Sequence, residues 1–333
     1  MAARIVVAQP IDDDIVAELE VAGRVHVHRD LEPLSYQALG AVCSEAEGLM
    51  AFMTERVDAA LLHRCPRLRV VAGALKGSDN IDLAACAARD VTVTICPNLL
   101  TEPTAELALG LAIALGRNFR AGEADVRSGT FSGWRPRHYG ASLNGATVGV
   151  LGAGAVGQAL LRMLGGFSCT RLYHDPVCVP PAALGARPVG IEELRAQSDF
   201  LFLATPLTSG TLRLVDAAFL GAMKPGAYLV NPARGSVVDE EAIADALETG
   251  RLAGYAADVF ACEDIARPDR SPRVPARLLR APNTVLTPHL GSAVVDVRRR
   301  IAGSAAESIL AVLDGRRPAT AIAGPWADEA GGC

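Results

Sequence analysis

Arg234, Glu263 and His289 fall, in that order, in the last third of the 333-residue chain, and their types could do proton and anion chemistry together. An imidazole titrates near neutral pH and can pass a proton to or from a reacting oxygen. A carboxylate behind it fixes the tautomer and stabilises the imidazolium. A guanidinium holds an oxyanion through two parallel N–H bonds. Each residue follows a short apolar run: Asn231-Pro-Ala-Arg234 after Ala227–Val230, Glu263 after Tyr255–Val259, and Thr287-Pro-His289 after Thr284–Leu286. If those runs are parallel strands, the side chains lie outside the strands' carboxyl ends, where open α/β sheets bind ligands. Taken singly, each has a plain alternative: a surface ion pair, a solvated loop carboxylate, a loop cap. As an ordered set they fit proton transfer coupled to movement of a hydride.

A hydride needs a carrier, and a second pattern supplies its binding site. Gly152-Ala153-Gly154-Ala155-Val156-Gly157 matches G-x-G-x-x-G. With 32 glycines in the chain the match alone is weak. Its context is specific: the run Thr147–Leu151 precedes it and the helical pattern Ala155–Leu164 follows. Gly152 permits the tight turn, Gly154 lets the backbone approach a pyrophosphate, and Gly157 lets helix pack on strand. The helix N-terminus then offers N–H groups to the phosphates. Asp175 ends the next run, eighteen residues after Gly157, where an acidic residue accepts hydrogen bonds from the adenosine ribose. It also disfavours a 2′-phosphate: at about 4 Å and an effective dielectric of about 20, each charge pair costs on the order of 4 kcal/mol. Pro176 and Val177 offer no cation in compensation, so NAD is expected over NADP.

The elements that must position these groups alternate, short β-branched runs with longer helical patterns, as in parallel α/β architecture. Ile5–Ala8, Val25–His28, Gly48–Met53, Leu68–Ala74 and Val91–Cys96 read as strands of a first unit. Val148–Leu151, Arg171–His174, Phe200–Ala204, Ala227–Val230, Tyr255–Val259 and Thr284–Leu286 read as six strands of a second, doubly wound one. Pro103–Phe119 reads as a helix between them. Ala293–Leu313 reads as a long helix closed by Gly315 and Pro318. It follows the last strand of the second unit and is expected to return to the first. Residues 319–333 carry no signal.

A net charge of −5 gives no basic field for nucleic acid or an acidic membrane. No metal-ligand spacing appears among the cysteines, so no metal is expected. The start, MAARIVVAQP, does not read as a signal peptide, and no apolar run could span a bilayer, so a cytoplasmic setting is expected.

Lys76-Gly-Ser-Asp-Asn-Ile-Asp82, the Gly152–Gly157 loop, Asn231-Pro-Ala-Arg-Gly-Ser-Val-Val-Asp239 and Thr287-Pro-His289 together resemble the D-2-hydroxyacid dehydrogenase family over nearly the whole chain. The resemblance implies two doubly wound parallel-sheet domains, with a Rossmann NAD-binding domain (residues 100–290) inserted in a flavodoxin-like substrate domain (1–99 and 291–333). It implies a homodimer, with Arg234, Glu263 and His289 as catalytic residues. It places Thr104, Pro206, Ala233 and Asp258 beside the cofactor with Gly152–Gly157 and Asp175. Several local features are similar to the phosphonate (phosphite) dehydrogenase branch: Ala51-Phe-Met53, Ala74-Leu-Lys76-Gly77, Leu99-Leu-Thr-Glu-Pro-Thr104, Gly133-Trp134, Tyr139-Gly140, Glu263-Asp264 where most members carry Glu-Pro, and Gly291-Ser-Ala-Val with Arg298 beyond. That branch oxidises phosphite with NAD and water. Lys76, Gly77, Met53, Leu100, Trp134, Tyr139, Ser292 and Arg298 become the expected substrate contacts. Lys76 and Arg234 would meet a dianion with two positive charges, and Trp134 and Tyr139 would close the pocket. The plain alternatives are a surface lysine, a core methionine, a packing tryptophan and a helix-surface arginine. Two other functions compete: reduction of glyoxylate, hydroxypyruvate or another 2-hydroxyacid partner, and NAD sensing without turnover.

Overall fold

The computed structural model describes residues 2–327. Two compact units emerge. Of the described residues, one unit holds 2–100, Ile265–Pro268 and 293–327; the other holds Thr101–Asp264 and Asp269–Ser292.

The strands β1 (Ala3–Val7), β2 (Gly23–Val27), β3 (Gly48–Ala51), β4 (Val70–Gly73), β5 (Thr92–Thr94) and β13 (Ala321–Ala323) form the first unit's sheet, in the order β13-β5-β4-β3-β1-β2. All neighbours are parallel except β13, which runs antiparallel to β5. Every residue of β3 and β4 is buried, as expected for strands covered on both faces. The helix Val295–Leu313 supplies part of that cover: Ile301, Ala302, Ala305, Ala306 and Ile309 join one core with Ile5, Leu49 and Val71. The return of this helix to the first unit is therefore observed. It ends before Gly315, whose φ of +72° suits a residue without Cβ.

The second unit's sheet is built from β6 (Thr147–Leu151), β7 (Thr170–His174), β8 (Arg187–Pro188), β9 (Phe200–Leu203), β10 (Ala227–Asn231), β11 (Leu252–Ala257) and β12 (Thr284–Leu286), in the order β12-β11-β10-β9-β6-β7-β8. All its pairs are parallel, and β6 and β9 meet where the order reverses. Such a reversal opens a crevice at the carboxyl ends of the two strands. Side chains alternate across the sheet. Phe200, Phe202, Val230 and Ala256 pack with Ala105, Ala108, Leu111 and Leu115 of the helix Thr101–Gly116. Leu201, Leu203, Leu229 and Ala257 face a second core with Phe219 and Ile243.

The second unit's sheet has a seventh strand, β8, beyond the six expected, and two further expectations differ from this architecture. The helix expected over Pro103–Phe119 stops at Gly116, and a new one runs over Phe119–Arg127. Between them Asn118 takes a left-handed conformation (φ 53°), and its amide donates to the carbonyl of Tyr139 at 2.9 Å. Asparagine tolerates that region, and its side chain secures the loop at Tyr139 as it breaks the helix. The second difference is β13, in a stretch without sequence signal. Its three residues gain their structure from pairing with β5, which no local pattern reports.

Candidate active site

The crevice at β6 has the shape of a dinucleotide cradle. Gly152 turns the chain with φ +98°, and a Cβ there would lie 2.6 Å from the carbonyl oxygen of Ala204. A Cβ on Gly157 would lie 2.1 Å from the carbonyl oxygen of Gly152. Both positions therefore require glycine. Gly154 is the opposite case: nothing lies within 4 Å of where its Cβ would be. It caps the helix Ala155–Met163 without a side-chain hydrogen bond, so the first-turn N–H groups face an open approach. Ala155 and Val156 open that helix. An anionic diphosphate fits here.

Asp175 follows β7. Its Oδ2 accepts from Ala153 N–H at 2.7 Å, and its Oδ1 accepts from Val177 and Cys178 N–H, both at 2.8 Å. Burial pushes this carboxyl up, but the N–H groups of Cys178, Ala153 and Val177 outweigh it and hold the pKa below the usual value. The group is charged at neutral pH and keeps lone pairs for a ribose hydroxyl. It also braces the glycine loop, a role not visible in the sequence. Pro206 lies exposed on the loop after β9, its carbonyl accepting from Thr211 Oγ1 at 2.6 Å.

His289 sits on the loop after β12 in a left-handed conformation, φ 58°. The cause is Asp258, at the end of β11 and 1% exposed. Its Oδ1 accepts from Thr287 Oγ1 at 2.6 Å and Leu290 N–H at 2.7 Å, and its Oδ2 from Gly291 N–H at 2.8 Å. Its carbonyl takes the His289 N–H at 2.8 Å. The Asp258 carboxylate is thus a peg around which the histidine loop winds. Thr104 closes the far side, 3.4 Å from the Gly291 carbonyl. So held, His289 Nδ1 meets Glu263 Oε2 at 2.6 Å, while Glu263 Oε1 accepts from Phe260 N–H at 2.7 Å. The carboxylate accepts the hydrogen bond from Nδ1–H, which leaves Nε2 as the nitrogen available to a substrate.

Arg234 stands just after β10. Buried Asn231 shapes its loop, accepting from Ala233 N–H at 3.1 Å and donating to the Arg234 carbonyl at 3.0 Å. Arg234 Nη1 donates to the Ala233 carbonyl at 2.9 Å. The loops of Arg234 and Glu263 touch closely: a Cβ on Gly235 would lie 1.8 Å from the carbonyl carbon of Phe260. Among the described residues of this unit, Ser292 is buried, whereas Trp134 and Tyr139, expected as pocket walls, are 76% and 74% exposed.

The remaining expected contacts belong to the first unit, at the carboxyl ends of β3 and β4. Met53 is half-buried after β3, and Lys76 and Gly77 are half-buried after β4. Leu100 is buried at the unit's last residue before the chain crosses over. Arg298, on the first turn of the helix Val295–Leu313, lies over the Phe52 ring, 5.6 Å from its centroid, and reaches the Ala74 carbonyl at 3.5 Å. Burial lowers the pKa values of both Lys76 and Arg298. Glu55, outside the sequence reading, and Asn80, quoted there only within the motif Lys76–Asp82, hold the loop after β3. Buried Glu55 accepts from Phe52 N–H at 2.6 Å, and buried Asn80 donates to the carbonyls of Phe52 and Glu55 at 2.8 and 2.7 Å. No group of three or more His, Cys, Asp or Glu among the described residues could hold a metal ion. No helix among them is long and apolar enough to cross a membrane.

Residues 109–291 match the family model "D-isomer specific 2-hydroxyacid dehydrogenase, NAD binding domain". A glyoxylate reductase of Pyrococcus furiosus is 34% identical over 97% of this chain and 96% of its own length. One of Korarchaeum cryptofilum is 34% identical over 96% and 95%. Among solved structures, an NADPH-dependent glyoxylate/hydroxypyruvate reductase of Sinorhizobium meliloti, bound to NADP and malonate, superposes with a TM-score of 0.84 at 30% identity, covering 99% of this chain and 100% of that one. The chain belongs to the D-isomer specific 2-hydroxyacid dehydrogenase family. It is an NAD-dependent dehydrogenase with a Rossmann NAD-binding domain.

Proposed function

We propose that the chain reduces glyoxylate, or a 2-oxoacid of similar size, to the corresponding 2-hydroxyacid with NADH. The His289–Glu263 pair at 2.6 Å carries this reading, since it stands on the same sheet as the dinucleotide cradle. The full-length likeness to glyoxylate reductases supports the substrate and favours it over phosphite. NADH, when bound, supplies the hydride. Arg234 holds the substrate carboxylate through paired N–H bonds. As the carbonyl carbon gains hydride, its oxygen takes the proton from His289 Nε2. Glu263 stabilises the imidazolium before that transfer and fixes the ring's orientation after it. The reverse reaction uses the same groups, with Nε2 as base. The lines supporting NAD over NADP are Asp175 and the lack of a cation beside it.

Phosphite oxidation is the second reading, favoured by Lys76 after β4 and by Arg298 on the helix Val295–Leu313 of the first unit. There His289 would take a proton from the attacking water. The two readings separate in one paired assay of purified protein: NADH consumption with glyoxylate, and NADH formation with phosphite. Turnover of glyoxylate is expected; turnover of phosphite alone would reverse the order. Tight NADH binding with neither reaction would favour a sensor. A homodimer is part of the proposal, supported by the exposed Phe119, Val126, Phe131, Trp134 and Tyr139 clustered within one stretch of the second unit.

A further inference from the structure

We propose that Asp264 is a positioning residue that ties the loop of Arg234 to the loop of Glu263, so that the anion clamp and the proton-transfer pair are set as one piece. The inference rests on the roles given above to Arg234, Glu263 and His289. The short 3-10 turn Ala261–Glu263 is fastened to several neighbours, Arg270 Nε donating to the Cys262 carbonyl at 3.1 Å among them. Glu263 accepts its own loop's Phe260 N–H. Glu240, at the first turn of the helix Glu240–Glu248, accepts from Ala261 N–H at 2.8 Å. Asp264 Oδ2 accepts from Ser236 N–H at 2.8 Å, 28 residues back along the chain. Only the last of these bonds joins the two loops. It does so two residues from Arg234 on one side and one residue from Glu263 on the other.

Asp264 and Glu240 are 5% and 6% exposed. Burying two carboxylates beside the Glu263 carboxylate is costly unless each is hydrogen-bonded, and each accepts a backbone N–H group of these loops. Neutral acceptors would hold a loop at lower cost. A buried, charge-assisted bond of fixed reach gives close geometric control instead, and catalysis needs groups placed within about 0.5 Å. Gly235 adds a steric argument. Its missing Cβ lets the two backbones touch, so a small slip of either loop cannot be absorbed by side-chain adjustment.

The test compares wild type with Asp264→Ala, Asp264→Asn and Asp264→Glu. The measurements are melting temperature, NADH affinity by fluorescence, kcat and KM for glyoxylate, and the downfield imidazole proton of the His289–Glu263 bond by NMR. Asp264→Ala should lower kcat and raise KM together, with kcat/KM falling about ten- to a hundredfold, as expected for a misplacement near 1 Å. NADH affinity should hold, and the downfield proton should shift or broaden. Asp264→Asn keeps an acceptor of the same reach without the charge and should recover part of the loss. Asp264→Glu keeps the charge but lengthens the reach, and should remain impaired even if Asp264→Ala fails to fold. Asp264→Glu with wild-type kinetics and an unmoved imidazole proton would overturn the proposal. So would Asp264→Ala that melts earlier yet keeps both kinetic constants. Wild type inactive on glyoxylate would sink the substrate reading alone, because the imidazole signal tests the tie without any oxoacid.

Discussion

The proton chemistry rests on single side chains, and its tests belong to them. His289→Ala should lower kcat for the 2-oxoacid at least about a hundredfold, since a general acid–base group contributes about 10²–10⁴. NADH affinity should stay near wild type by fluorescence titration. Glu263→Gln should be milder, because an amide can still accept from Phe260 N–H while failing to stabilise imidazolium. Retention of more than a tenth of kcat by His289→Ala would remove it from the role. Asp175→Ala with Pro176→Arg should improve kcat/KM with NADPH, but it should also weaken NADH use, because Ala153 N–H loses its acceptor. Lys76→Ala distinguishes substrates. A charge-assisted hydrogen bond to an anion is worth about 1.5–3 kcal/mol, so kcat/KM for phosphite should fall about tenfold to a few hundredfold if phosphite is turned over. Glyoxylate, with Arg234 for its carboxylate, should be affected less. Arg234, Glu263 and His289 were legible because rare chemical types follow recognisable strands. Asp258 was legible as a position but not as a peg, since its partners, the Thr287 hydroxyl and two backbone N–H groups, lie some thirty residues on, and sequence spacing does not record them.

Whole elements show where sequence pattern is sufficient and where it fails. Parallel strands buried on both faces, such as β3 and β9, declare themselves as apolar runs, and their ends fall within a few residues of expectation. Two-residue β8 and the edge strand β13 do not, because their order comes from neighbours. The break at Asn118 was hidden for the same reason: its amide answers a carbonyl at Tyr139, 21 residues away. Glu240 opens its helix on a buried site, and burial, helped by the nearby negative Asp264 and Glu263, pushes its carboxyl from the ordinary 4.5 up to about 7. Between those values the unfolded chain has lost a proton that the folded protein keeps. Folding stability therefore falls as pH rises through that window, and stays reduced above it. Glu240→Gln keeps the acceptor for Ala261 N–H and removes the titration. It should flatten the change in unfolding free energy between pH 5 and pH 8, a change of about 2–3 kcal/mol attributable to this group. Urea melts at both pH values read this directly, and an unchanged slope would show that Glu240 does not titrate there.

The molecule as a whole is a family scaffold that carries a dinucleotide-binding domain and dehydrogenase chemistry, while substrate choice lies in residues that neither fold nor fingerprint determines. Light scattering should report a mass of twice one chain. Phe131→Asp with Trp134→Asp, both at exposed positions of the second unit, should shift it toward a monomer; an unaltered dimer would place the interface elsewhere. The segment order of the first unit has a consequence for how the protein is made. Its sheet uses β1 to β5 early and β13 late, and Ile301, Ala305 and Ile309 of its core arrive about two hundred residues after β5. At roughly 5–20 residues per second, that sheet waits on the order of 10–40 s for its cover. The second unit, nearly continuous in the chain, is complete before then. The nascent chain therefore carries a finished nucleotide-binding fold alongside an uncapped apolar sheet. The interval before Val295 leaves the ribosome is when this protein most needs a chaperone.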